Sequence, residues 1–337
     1  MTPPDLQSLL TDPLYMPVGV TPDLRMIRFA RVRPDILRAQ TFLDGRTPFT
    51  DGPVYSAELD AVAAAMRSDI VPSPMLLHVS FCGSTLLSNL LDVPGSALGL
   101  REPAVQIALA SAPAPTPERT AKAAYIVEAL LSRPMDGQAM VIKPSNWVNN
   151  LLPIWTDQGM ADPIFLTASP RAFLRSVFRG GRERLAYTMR LAQHLAPAIK
   201  EGARRTAASA SGQSHPLHQA ARLSLLALSF QLTIFDESLT ERRLSRSRVI
   251  SYDRLNKDPA GMAMQVASML ALPIEPRAIA DRARAMLGRN AKSPDRRYTA
   301  EEEAAANREV EKHHGAIFDD ALDWAEAEGL MLTMEEA

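Results

Sequence analysis

A single cysteine stands among the 337 residues, so no internal disulfide can form, and one thiol suits a reducing compartment. Charge of either sign is not in excess. Lysine and arginine total 37 against 38 acids, and the net charge of −1 gives no global attraction to nucleic acid or to an anionic membrane. Any polyanion must therefore be met by a local cluster of cations. No apolar run approaches the roughly 18 residues needed to span a bilayer. The opening "MTPPDLQSLLTDPLYMPVGV" lacks the basic stretch and continuous apolar core of a secretion signal. These absences predict a soluble, cytoplasmic protein with no membrane span and no nucleic-acid partner. What is present is globular in kind, 46% hydrophobic and 22% charged, enough for one large α/β domain or two ordinary ones.

Residues 1–53 read as an irregular cap with a strand pair, and "SAELDAVAAAM" as a helix capped by Ser56. Apolar runs then alternate with helical patterns: "PMLLHVS", "ALGLREPA", "QAMVIKPS", "DPIFLTAS" and the late "SRVISYDRL" are the strands. Glu102, placed before Pro103, is expected to be extended. A helix broken at Gly180-Gly181, the long "PLHQAARLSLLALSFQLTIFDESL" and a C-terminal helical region complete the pattern. Strand–helix alternation predicts a parallel sheet covered on both faces, with ligands held at the carboxyl ends of its strands. The expected organisation is a cap at 1–70, facing the substrate, and an α/β domain at 71–337.

Four segments leave such strand ends. In "SFCGSTLLSNLLD", Gly83 allows close backbone approach, and the amides of Gly83, Ser84, Thr85 and Leu86 open a helix, where unpaired N–H groups favour an anion. Ser84 and Thr85 add hydroxyls; an ordinary capped turn is the plainer alternative. The segment does not match GxxxxGK[ST], because Phe81 and Cys82 stand near the place of the usual lysine, so a standard ATP or GTP hydrolase loses its support. Cys82, near a helix N-terminus, could be a reactive thiol. "LREP" brings Arg101 and Glu102 to the second strand end, and Lys143 closes the apolar strand "VIK", aimed at a ligand. "TASPRAFLRSVFRGGRER" places Arg171, Arg175, Arg179 and Arg182 along one helix face, with Arg184 close behind. Such a row binds phosphate or sulfate oxygens, or is matched by acids of the cap or the C-terminal helix. The histidines lack metal-ligand spacing, and His78 reads as a hydrogen-bonded core residue.

Taken in order, "SFCGSTLLSNLLD", "LREP", "VIKPSNWVNNLLP", "TASPRAFLRSVF" and "VISYDRLNKDPAGMAMQVASMLALP" resemble the sulfotransferases that use 3′-phosphoadenosine-5′-phosphosulfate (PAPS). The likeness is to bacterial sulfotransferase-like proteins with a "GSTLL" loop, over residues of about 74 to 275, and weakly through "KSPDRRYTAEE", where the family has a tyrosine before its last helix. The resemblance implies a P-loop-NTPase-like parallel sheet flanked by helices, with an irregular N-terminal cap and a helical C-terminal region. It implies that Phe81, Cys82, Gly83, Ser84, Thr85 and Leu86 cradle the 5′-phosphosulfate. Ser176, and an arginine eight residues earlier, would hold the 3′-phosphate. Lys143 would lie near the transferring sulfuryl group, and Glu102 would take the acceptor proton. Tyr252 and Asp253 would pack behind the site, and no metal is required.

This sequence departs from that pattern in two charges. Phe81 stands where the family loop is basic, and Ala168 where the 3′-phosphate arginine belongs. A histidine base found in other branches would fall near Ser145. Either neighbours substitute, Arg171 and Arg175 for one and Lys143 or Arg101 for the other, or the donor is not PAPS. The expectation is sulfuryl transfer from PAPS to a hydroxyl or amine of a small molecule, glycan or peptide. The alternative is a protein of the same fold without that activity: a phosphorylated-ligand or partner-binding module, or a kinase-like phosphoryl transferase.

Overall fold

A computed structural model of the chain describes residues 4–50, 52–66, 71–113, 116–211, 215–286, 289–290, 293–297 and 300–334. Tyr298, the tyrosine expected before the last helix, lies outside them. The N-terminal region holds α1 (Leu6–Thr11), β1 (Tyr15–Val20), β2 (Met26–Arg31), α2 (Pro34–Ala39), β3 (Val54–Glu58) and α3 (Leu59–Ala65). The three strands form an antiparallel sheet in the order β1-β2-β3. The segment from Ser56 is therefore strand first and helix second, and the cap position falls at Glu58. The reason is cross-strand pairing. Tyr55 and Ala57 register against Phe29 and Ile27, both fully buried, and that burial outweighs the helical preference of an alanine-rich stretch.

Beyond the cap come β4 (Ser73–His78), α4 (Ser84–Leu91), β5 (Ala97–Arg101), α5 (Ala104–Ala110), α6 (Pro117–Leu131), β6 (Ala139–Lys143), a 3-10 turn at Asn146–Leu151, α7 (Leu152–Asp157) and β7 (Ala161–Thr167). With β8 (Val249–Ser251) they give an α/β fold whose parallel sheet, among the described residues, has five strands in the order β5-β6-β4-β7-β8. All five residues of β5 are buried, as are four of five in β6 and the last five of β7. Continuous burial is what helices on both faces impose, and it explains why these strands read as unbroken apolar runs. The last strand is shorter than expected: Val249–Ser251 pairs with β7, and Tyr252 already begins a helix.

The remaining helices are α8 (Pro170–Arg179), α9 (Gly181–Leu195), α10 (Gly202–Ala208), α11 (Pro216–Glu241), α12 (Tyr252–Lys257), α13 (Pro259–Met269), α14 (Pro276–Met286) and α15 (Ala300–Ala327). The chain divides into two compact units. The first comprises residues 1–77, 85–164 and 258–285; the second comprises 78–84, 165–257 and 286–337. In the second unit α11 packs along α9 and α15, and α15 packs along α8. Among the described residues no helix is long and apolar enough to cross a membrane.

Candidate functional site

In the second unit, the loop after β4 carries its strain in the backbone. Ser80 and Phe81 take φ of +79° and +52°, and Gly83 takes +78°, before α4 opens at Ser84. The left-handed region costs an ordinary residue about 1–2 kcal/mol, so two in succession mark a loop held in shape for a purpose. His78 helps to hold it, its Nδ1 accepting from the Ser80 amide at 3.2 Å. A side chain at Gly83 would meet Leu255 Cδ2 at 2.8 Å and Tyr252 Cδ2 at 3.2 Å, so α12 closes on the loop and glycine alone fits. Cys82 is fully buried, which leaves its thiol out of reach of solvent reagents. Ser84 and Thr85 are buried in the first turn of α4, and Leu86 contributes its amide. Among the described residues the Ser84 and Thr85 hydroxyls take no hydrogen-bond partner.

Phe81 is not left bare where a cation was expected. Its ring lies 6.1 Å from that of Phe173, and the Arg184 guanidinium stacks over it at 4.7 Å from the ring centre. Arg184 Nη1 also donates to the Ser176 carbonyl at 2.7 Å. Its stem runs over Gly180, where any Cβ would collide with it.

The row of arginines on α8 splits in two. Arg171 is held by Glu311, with Nε donating at 2.7 Å, and by Asp319 at 2.7 Å, and these bonds push its pKa up. Arg179 donates to Glu303 at 2.9 Å and to the Asn307 side chain at 3.0 Å. Both are thus matched by acids of the C-terminal helix. Arg175, between them, makes no ion pair or hydrogen bond among the described residues. Asn307 of α15, whose side chain accepts from Arg179, lines the same cavity as Arg175.

Arg175 and Ser176 line a cavity of about 240 Å³ together with Phe81, Tyr252, Asp253 and Asn256. Tyr252 and Asp253, expected to pack behind the site, line it instead, because the strand ends early and α12 turns them inwards. At about 240 Å³ it is smaller than the roughly 300–1,000 Å³ of pockets that hold whole small molecules. Its walls carry both signs of charge, since Asp253 and the Arg179-bound Glu303 share it with Arg175. Ala168 is buried and contributes no charge. Arg182 lies beyond the Gly180-Gly181 break, in the first turn of α9.

The first unit holds the other two predicted residues as a pair. Lys143 ends β6 with its side chain 1% exposed, and its Nζ meets Glu102 Oε1 at 2.6 Å. Phe42 of the cap lies over the same ammonium, 5.5 Å from ring centre to nitrogen. Glu102 is not extended: φ is +58°. Its amide stays in the ladder, donating to the Lys143 carbonyl at 2.7 Å, while the chain turns out of the strand ahead of Pro103. Arg101, the register partner of Lys143, is structural. It pairs with Asp92, which also accepts from Arg38 of α2 at 2.8 Å, and it donates to the Gln40 carbonyl at 2.7 Å. Ser145 caps the turn after Lys143, accepting from the Trp147 amide at 3.4 Å.

Sequence reasoning missed the Arg184–Phe81 stack and the lining roles of Tyr252, Asp253 and Asn256. The stack joins residues about a hundred positions apart, and no local pattern announces it. The acids that match Arg171 and Arg179 did leave a signal, an eight-residue spacing of Glu303, Glu311 and Asp319 on α15. Comparison with protein-family models, with curated proteins and with solved structures finds no match to this chain.

Proposed function

We propose that the chain is a group-transfer enzyme of the sulfotransferase kind, moving a sulfuryl group from PAPS to a hydroxyl or amine acceptor. The observation that carries this reading is the buried Lys143 ammonium, 2.6 Å from a carboxylate whose backbone is strained out of its strand. Such a pair supplies a base and a fixed positive charge at once. In the reaction the acceptor oxygen or nitrogen bonds to sulfur, and the bond from sulfur to the bridging oxygen breaks. The acceptor proton passes to Glu102, and adenosine 3′,5′-bisphosphate leaves. Within the first unit Lys143 would stabilise charge on the sulfuryl and bridging oxygens; within the second, Arg175 and Ser176 would take a phosphate.

Adenosine 3′,5′-bisphosphate should raise the melting temperature, and Ser176→Ala and Arg175→Ala should shrink that shift. Absence of any shift at millimolar ligand would overturn the reading. One observation favours a second reading. Asp253 in the cavity suits a ribose hydroxyl better than a 3′-phosphate. A donor with a free 3′-hydroxyl, and phosphoryl transfer, would follow. Preference for ATP with magnesium over the bisphosphate, in the same titration, would decide for it.

A further inference from the structure

We infer that Arg184, stacked on Phe81, supplies to the bound anion the positive charge that the missing loop lysine would give. The inference rests on the reading of the loop as the phosphosulfate cradle. Three observations lead to it. The guanidinium stacks on the one loop side chain that stands where a cation is expected. It bonds to the carbonyl of Ser176, so a single side chain ties the loop to the start of the cavity wall. It has no carboxylate partner among the described residues, and burial together with the nearby Arg179 lowers its pKa. A half-buried cation beside another cation is unfavourable by itself, and a ligand anion in the loop is the counter-charge that relieves it. Gly180 is the residue that makes room for this arm, since a methyl group there would strike the Arg184 stem.

The test is calorimetric titration of the full chain with adenosine 3′,5′-bisphosphate, and with adenosine as the uncharged control. Arg184→Gln should weaken the bisphosphate about tenfold, the size expected for one lost charge-assisted interaction, and leave adenosine within about twofold. Arg184→Lys, which keeps charge and ring contact, should recover most of the loss. Phe81→Leu keeps Arg184 and removes the face it stacks on, and should also weaken the bisphosphate selectively. Equal bisphosphate affinity in Arg184→Gln and the unaltered protein would overturn the inference, as would equal loss of both ligands. Should Arg184→Gln fail to fold, the Lys and Phe81→Leu variants decide: unchanged selectivity in Phe81→Leu overturns it. Failure of the unaltered protein to bind the bisphosphate overturns the underlying reading, a result separable from these.

Discussion

Glu102 and Lys143 form one buried charge pair with unequal partners. Lys143 is 1% exposed and Glu102 is 17% exposed. Removing the carboxylate strands an ammonium away from water, whereas removing the lysine leaves a carboxylate that solvent still reaches. Breaking a buried pair from the side that strands a charge costs about 3–5 kcal/mol. Glu102→Ala should therefore lower the urea midpoint more than Lys143→Met does, and the Glu102→Gln/Lys143→Met double variant should recover part of the loss. Equal effects of the two single variants would show that the pair is hydrated. At this scale the sequence announced the residue types but not their conformations. Lys143 was legible because a lysine ending an apolar strand is rare. The left-handed turn at Glu102 was not, because the residue before a proline normally stays extended.

At the scale of elements, the strands were legible and the fastenings between them were not. Burial on both faces made β4 to β7 plain as apolar runs, while β3 was hidden under an alanine-rich helical pattern until its partner β2 was known. The cap is fastened to the parallel sheet by Asp92, just past the end of α4, whose fully buried carboxylate holds both Arg38 and Arg101. Arg101 is itself 3% exposed, and burial lowers its pKa against the pull of Asp92. Asp92→Ala should thus cost about 3–5 kcal/mol by stranding Arg101, and Arg38→Ala far less, since Arg38 is partly in water. Denaturant titration of the two variants checks the order. The α8–α15 seam offers a second check. Asn307→Asp should turn the hydrogen bond from Arg179 into an ion pair and add an anion to the wall that Arg175 shares, weakening bisphosphate binding while raising the melting temperature, whereas Asn307→Gln should do neither. A gain in affinity in Asn307→Asp would contradict this reading of the cavity wall.

For the whole molecule, one pH lever lies away from the candidate site. Glu128 of α6 is fully buried, and burial pushes its carboxyl up to about 7, only partly offset by hydrogen bonding from Gln106. Gln106 Nε2 donates to Glu128 Oε2 at 2.8 Å. In the unfolded chain the same group ionises near 4.5. The folded state therefore binds this proton more tightly, and the contribution to stability is complete below about pH 4.5. It falls as pH rises and is exhausted above about pH 7, a loss on the order of 3 kcal/mol for a shift of this size. Carboxylates with depressed pKa work in the opposite sense at lower pH: Asp320, lowered chiefly by its hydrogen bond with His218, loses its contribution only as pH falls through its depressed value. The two slopes are separated by measuring unfolding free energy from pH 4 to 8 for the protein and for Glu128→Gln. The difference between the curves should be flat below about pH 4.5 and widen in favour of the glutamine form up to about pH 7. A parallel pair of curves would place Glu128 in contact with water and remove the buried proton from the account.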